Sequence, residues 1–94
     1  MSGFFDNMSV FVYAIYSPTS DQIYVGISED VTNRLNDHNK GKAKFTQSYR
    51  PWILFYTEEY QTYAEARERE KKLKNATGKL FLRQKLADFY SGNT

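Results

Sequence analysis

The spacing of apolar residues changes along the chain, and each change marks an element. Residues 10–16, Val10-Phe-Val-Tyr-Ala-Ile-Tyr16, form a run of aromatic and β-branched residues that ends in a turn cluster, Ser17-Pro-Thr-Ser-Asp21. Gln22-Ile-Tyr-Val-Gly-Ile27 then alternates strictly, with Ile23, Val25 and Ile27 on one side and Tyr24 and Gly26 on the other. The two runs predict an antiparallel hairpin with a loop of about four or five residues. A four-residue loop that pairs Tyr13 with Tyr24 puts both phenols on one face, and a slip of one residue would separate them. Ser28-Glu-Asp30 supplies a cap and acidic residues for a helix in which Val31, Leu35 and His38 share a side with Arg34. A loop is predicted over 39–50, a third strand over 51–57, a second helix over 62–74 and a third over 78–89. The third helix takes Leu80, Phe81, Leu82, Leu86 and Phe89 as its apolar set. The order β-β-α-β-α-α predicts an α+β domain: a small three-stranded, largely antiparallel sheet covered by helices. Residues 1–9 read as a loose lead-in and 10–90 as a single domain.

Composition narrows the chemistry. An aromatic share of 17% is too high for a disordered segment. There is no cysteine, so disulfide-linked partners, thiol nucleophiles and thiolate metal sites are excluded, and a single histidine excludes an imidazole cluster. The N-terminus has no positively charged leader region, and the run 10–16 is too short to span a bilayer, so a soluble cytoplasmic protein without a membrane role is expected. The net charge of +2 hides a strong asymmetry. Residues 1–30 carry Asp6, Asp21, Glu29 and Asp30 and no Lys or Arg. By contrast, 71–85 carries Lys71, Lys72, Lys74, Lys79, Arg83 and Lys85 without an acid. The loop 39–50 adds Lys40, Lys42, Lys44 and Arg50. A one-sided basic surface suits a polyanion, although basic helix faces are often only solvated.

In the second helix Tyr63, Ala66, Glu70 and Leu73 fall on one stripe, while Glu65 and Glu68 point to solvent. Glu70 thus sits in the face expected to pack. A carboxylate there is costly unless a metal ion or a cation, such as Arg34 or a lysine, satisfies it. Arg34 and His38 are one turn apart and can reach one spot. An arginine can stabilise a phosphate-like transition state bidentately, and a His or Tyr can position and deprotonate a water. A carboxylate with open coordination suits Mg²⁺ or Mn²⁺. Two other patterns compete. His38-Asn39 lacks the further histidines of a zinc-type nuclease, and Phe11, Tyr13 and Tyr24 form either a base-stacking platform or ordinary hairpin packing.

Five blocks occur in order: Phe11-Val12-Tyr13; Tyr24-Val25-Gly26; Arg34-Leu35-x-x-His38-Asn39-x-Gly41; Thr46 with Arg50-Pro51-Trp52-x-Leu54, Tyr56 and Glu58; and Ala66-x-x-Arg69-Glu70-Lys71-x-Leu73-Lys74. Together they resemble the GIY-YIG nuclease superfamily, most of all its small stand-alone bacterial members, over roughly residues 10 to 85. The resemblance implies an endonuclease that hydrolyses DNA phosphodiesters with one divalent metal ion, Mg²⁺ or Mn²⁺. It implies catalytic roles for Tyr13, Tyr24, Arg34, His38 and Glu70, with Glu70 as the metal ligand. Two positions depart from the family pattern. The first triplet keeps only its tyrosine, and Leu82 stands where several members carry an asparagine. Lys40, Lys42, Lys44 and Arg50 are the expected DNA-binding residues. The alternative is a catalytically idle DNA- or RNA-binding module using the same basic and aromatic surface. A protein-interaction domain fits less well, because it leaves Glu70 unexplained.

Overall fold

The computed structural model describes residues 9–92, so the lead-in expected over 1–9 lies, except for Ser9, outside the described residues. Strands β1 (Val10–Ser17), β2 (Gln22–Ser28) and β3 (Ile53–Tyr60) form one antiparallel sheet in the order β2-β1-β3. Helices α1 (Val31–Lys40), α2 (Tyr63–Leu73) and α3 (Ala76–Ser91) complete the expected β-β-α-β-α-α order. Among the described residues no helix is long and apolar enough to cross a membrane.

Strand alternation sorts the core into two layers. Val10, Val12, Ala14 and Val25 turn to one face, where they meet Ala66, Leu73, Leu82 and Leu86 of α2 and α3. Tyr13 and Ile15 turn to the other and meet Trp52, with Tyr24, Leu54 and the α1 residues Val31 and Leu35 packed around them. The sheet therefore lies between α1 and the α2–α3 pair.

The hairpin has the four-residue loop, but Ser17 pairs with Gln22, so Tyr13 lies opposite Gly26 and Tyr24 opposite Ile15. This register differs from the predicted one by two residues, an even number, so both tyrosines still share a face. In β3 the strand starts later and runs further than 51–57. Ala14 pairs with Tyr56 and Ile15 with Leu54, which leaves Phe55 as a bulge. The bulge sends Leu54 to the α1 side and Tyr56 to the other. Glu58 extends the strand because Arg69 of α2 neutralises it through two bonds, Nε at 2.8 Å and Nη2 at 3.0 Å, while Tyr56 and Tyr60 donate hydroxyls to it.

The helix ends follow their caps. Asp30 accepts from Asn33 N at 3.1 Å to start α1, which ends at Gly41 in the left-handed region. Thr62 and Glu65 form a reciprocal capping box on α2, so Glu65 is a capping group and not merely a solvated one. Helix α3 begins at Ala76 and not at residue 78, because Asn75 caps it and accepts from Gly78 N at 2.9 Å. Gly78 sits in that first turn, where a Cβ would lie 2.4 Å from Leu73 Cα, and this close approach seats α3 on the end of α2. Of the apolar set expected for α3, Leu80 is 74% exposed and Phe89 is also exposed, whereas Leu82 and Leu86 are buried. At 100° per residue, positions 80 and 82 cannot face the same side.

Candidate active site

Helix α1 lies over the sheet face that carries the two hairpin tyrosines, so its inward turn delivers His38 onto them. The His38 ring centroid is 5.0 Å from that of Tyr24 and 5.9 Å from that of Tyr13, and the two tyrosine rings are 6.4 Å apart. Tyr13, only 1% exposed, has its hydroxyl 2.8 Å from His38 Nε2. His38 Nδ1 is 2.7 Å from Thr46 Oγ1, and that hydroxyl donates to Ala43 O at 3.3 Å. The Thr46 proton being committed, its oxygen accepts from Nδ1–H, and Nε2 is left to accept from Tyr13. Thr46, His38 and Tyr13 thus form a buried line of hydrogen bonds.

Gly26 makes this arrangement possible. Tyr13 crosses it so closely that a Cβ there would lie 2.5 Å from the phenol oxygen. The triplet Tyr24-Val25-Gly26 therefore carries a phenol for the site and, two residues later, the gap that admits the second phenol. Thr46 and Trp52 are held in turn. Trp52 Nε1 donates to Thr46 O at 2.9 Å, while Asn39 donates to Trp52 O at 3.1 Å and accepts from Trp52 N at 2.6 Å. The segment expected as an open basic loop is thus tied to both α1 and β3, and it includes a 3-10 turn over Gln47–Tyr49.

Charge converges on the Tyr13 hydroxyl. Burial and then the Tyr24 phenol push it up to about 12. The Arg34 guanidinium, as hydrogen-bond donor and as charge, pulls the other way, and Glu70 adds a smaller upward push. Tyr13 is accordingly a neutral phenol at physiological pH. Burial, followed by the charge of Arg34, lowers His38, with Asp37 opposing, so this imidazole is held neutral. Arg34 itself is half exposed and lies 3.8 Å from Asp37.

Of the five sequence-predicted residues, Tyr13, Tyr24 and His38 pack against one another, while Arg34 and Glu70 act on the Tyr13 hydroxyl through their charges. The expected stripe on α2 is only partly correct: Ala66 and Leu73 are buried, but Tyr63 is exposed. Glu70 lies at the margin of that face, where Lys74 donates to Oε2 at 3.1 Å. The α2-facing carboxylate that is deepest in the structure is Glu58, whose role is to hold Arg69. Lys40, Lys42, Lys44 and Arg50 are exposed. Arg50 does not reach the cluster: it folds back to donate to Gln47 O at 2.7 Å, with its guanidinium over Gly41. Phe11, Tyr13 and Tyr24 do not form an open stacking platform, because α1 covers that face and encloses Tyr13.

Among the described residues, no group of three or more His, Asp or Glu side chains converges as a ready metal cage. Glu70 is already paired with Lys74, so a Mg²⁺ or Mn²⁺ ion held there would have to compete with that lysine and would take its other ligands from water and phosphate oxygens.

The family model of the GIY-YIG catalytic domain matches residues 9–86. The chain belongs to this family. GIY-YIG domains are nuclease domains, so nucleic acid is the partner that membership implies. The chain is 41% identical over 76 residues to the UPF0213 proteins of Staphylococcus aureus strains Mu3 and Mu50, covering 80% of this chain and 92% of each relative. The solution NMR structure of the UPF0213 protein of Bacillus halodurans is similar, with 29% identity, a TM-score of 0.50, and 82% of this chain and 84% of that one covered. The blocks shared with GIY-YIG proteins included Gly26, Asn39, Thr46 and Trp52 without a role for any of them. In this GIY-YIG domain they are the parts that hold Tyr13 and His38 in position.

Proposed function

We propose that this GIY-YIG domain is an endonuclease that hydrolyses DNA phosphodiester bonds with one divalent cation, Mg²⁺ or Mn²⁺. The observation that carries the reading is the packing of Tyr13, Tyr24 and the neutral imidazole of His38 into one cluster, with the Arg34 guanidinium and the Glu70 carboxylate acting on the Tyr13 phenol. Glu70 would hold the cation, which when bound supplies Lewis-acid polarisation of the phosphate and charge for the leaving oxygen. Arg34, half exposed at the mouth, offsets the charge that develops on the phosphate. Tyr24 orients the attacking water and, in its phenolate form, would take the water's proton to become the phenol. The choice of Tyr24 rests on access: of the three ring groups it alone is half exposed, whereas His38 and Tyr13 are enclosed. His38 acts through Tyr13, accepting a hydrogen bond from its hydroxyl and so directing that phenol past Gly26. Exposed Lys40, Lys42 and Lys44 take the phosphate backbone.

Incubation with single-stranded, duplex and branched DNA, with Mg²⁺ or Mn²⁺ and with EDTA, tests the reading directly. Cleavage with metal that stops in EDTA is expected. Glu70→Ala should abolish cleavage while DNA binding stays intact or tightens, since a negative charge leaves the binding surface. Arg34→Ala should slow the chemical step by roughly 10²–10³-fold, the scale of one preorganised charge stabiliser. A folded Glu70→Ala protein that cuts at near the parental rate would show the reading to be wrong.

A further inference from the structure

Phe45 is 79% exposed, yet the residue after it, Thr46, is buried and bonded to His38, so the ring is presented from a fixed backbone. Its centroid lies 6.4 Å from that of Tyr24. A single exposed apolar side chain is ordinary. This one, however, walls a groove of about 490 Å³ along the free edge of β2. Gln22 to Val25 form the strand side, Leu73 and Leu82 an apolar floor, and Lys74, Lys79 and Arg83 the far rim. Arg83 is bonded to Asp21 at 2.8 Å and Lys74 to Glu70 at 3.1 Å, so the groove leads from the carboxylate of the catalytic cluster to the hairpin turn.

We propose that this groove holds an unpaired nucleotide next to the scissile phosphate, with its base stacked on Phe45 and its phosphate against Lys79. The inference rests on the nucleic-acid reading of the site and adds the form of the substrate there. Charge complementarity selects the occupant: Lys79 stands on the rim in no ion pair among the described residues, and the strand edge carries no acid between Gln22 and Val25. The free aromatic ring calls for a flat apolar surface on the same ligand, and a nucleotide combines the two. The volume is that of a site for one small molecule. A base inside a duplex has both faces stacked and cannot offer one to Phe45, so the nucleotide must be unpaired.

Fluorescence anisotropy in EDTA separates binding from cleavage, so the groove and the hydrolytic reading can fail independently. The probes are a single-stranded oligonucleotide carrying 2-aminopurine and a blunt duplex of the same sequence. Phe45→Ala is expected to weaken single-strand binding by roughly 5- to 100-fold. It should also relieve the 2-aminopurine quench and leave duplex binding near the parental value. Phe45→Trp should restore both signals. Lys79→Gln should lower the single-strand salt slope by about 0.7. Unchanged single-strand binding by Phe45→Ala, equal losses on both probes, or a parent that binds no oligonucleotide would each overturn the proposal. A parent that binds as described but never cleaves keeps the groove and removes the hydrolytic reading.

Discussion

The close approach of the Tyr13 hydroxyl to Gly26 makes residue 26 a sensitive test of the whole cluster. An added methyl group cannot be absorbed by the phenol swinging aside, because Tyr13 is buried and bound to His38. Gly26→Ala is expected to cost roughly 1–3 kcal/mol of stability, the range of an overpacked core, and to lose cleavage with it. Thermal melting and a cleavage assay on the same preparation check both parts, and a parental melt with parental cutting would refute the geometry. His38 offers a second test, through pH. Its folded-state value lies below the ordinary 6.5, so folding favours the neutral ring. The stability this contributes is fully present above about pH 6.5 and is lost as pH falls through the folded value. Stability should therefore drop on acidification from pH 6.5, and His38→Gln, which cannot titrate, should flatten that part of the profile in denaturant melts. An equal slope in the two proteins would show that His38 is not the group responsible.

Among the elements, α2 carries the most consequence per contact, because Glu70 follows directly after the residue that anchors the helix. Arg69 reaches across to Glu58 with two bonds, and this fixes the rotation of α2 and hence the direction of Glu70. Burial raises Glu58, but Arg69 and the hydroxyls of Tyr56 and Tyr60 outweigh it, so the carboxyl is held below its usual range. That contribution is present above about pH 4.5 and is lost as pH falls through the lowered folded value. Glu58→Gln is expected to cost roughly 2–3 kcal/mol, less than the fully buried limit because Arg69 is 30% exposed. It should also lower cleavage more than the fraction unfolded explains. Urea melts with kinetics on the folded fraction measure the two effects, and a fully active folded variant would detach Glu58 from the site. The sequence alone could not assign this role. The predicted strand stops at residue 57, short of Glu58, and no periodic pattern links residue 58 to residue 69. The Phe55 bulge and the link from His38 to Thr46 were hidden for the same reason, since alternation and helical spacing describe one element at a time. What those periods do encode was legible. The shared face of Tyr13 and Tyr24 and the inward turn of α1 with His38 follow from alternation and helical spacing, whereas the grouping of all five candidates came from the resemblance to GIY-YIG nucleases.

At the scale of the molecule, positive charge comes from two segments that flank the catalytic cluster: the end of α1 and the stretch after it, with Lys40, Lys42 and Lys44, and the α2–α3 region with Lys74, Lys79 and Arg83. The first is anchored through Thr46, Trp52 and Asn39, so its exposed lysines project from a fixed frame and not from a floppy loop. Lysine ammonium groups are point charges without the fork that reads base edges, so these contacts should follow the phosphate backbone. Replacing all three with glutamine should weaken binding equally on unrelated sequences and reduce the slope of log K against log salt by about 0.7–0.9 per lost contact. The structure also ranks the three. Lys42 lies 3.7 Å from Asp37, which already shares its charge, while Lys40 and Lys44 enter no such ion pair among the described residues. Single variants at 40 and 44 should therefore flatten the slope more than Lys42→Gln does. Anisotropy titrations over a salt series on two unrelated oligonucleotides provide the measurement. A slope that does not change in the triple variant would take this segment out of the interface, and a loss confined to one sequence would mean that it reads bases after all.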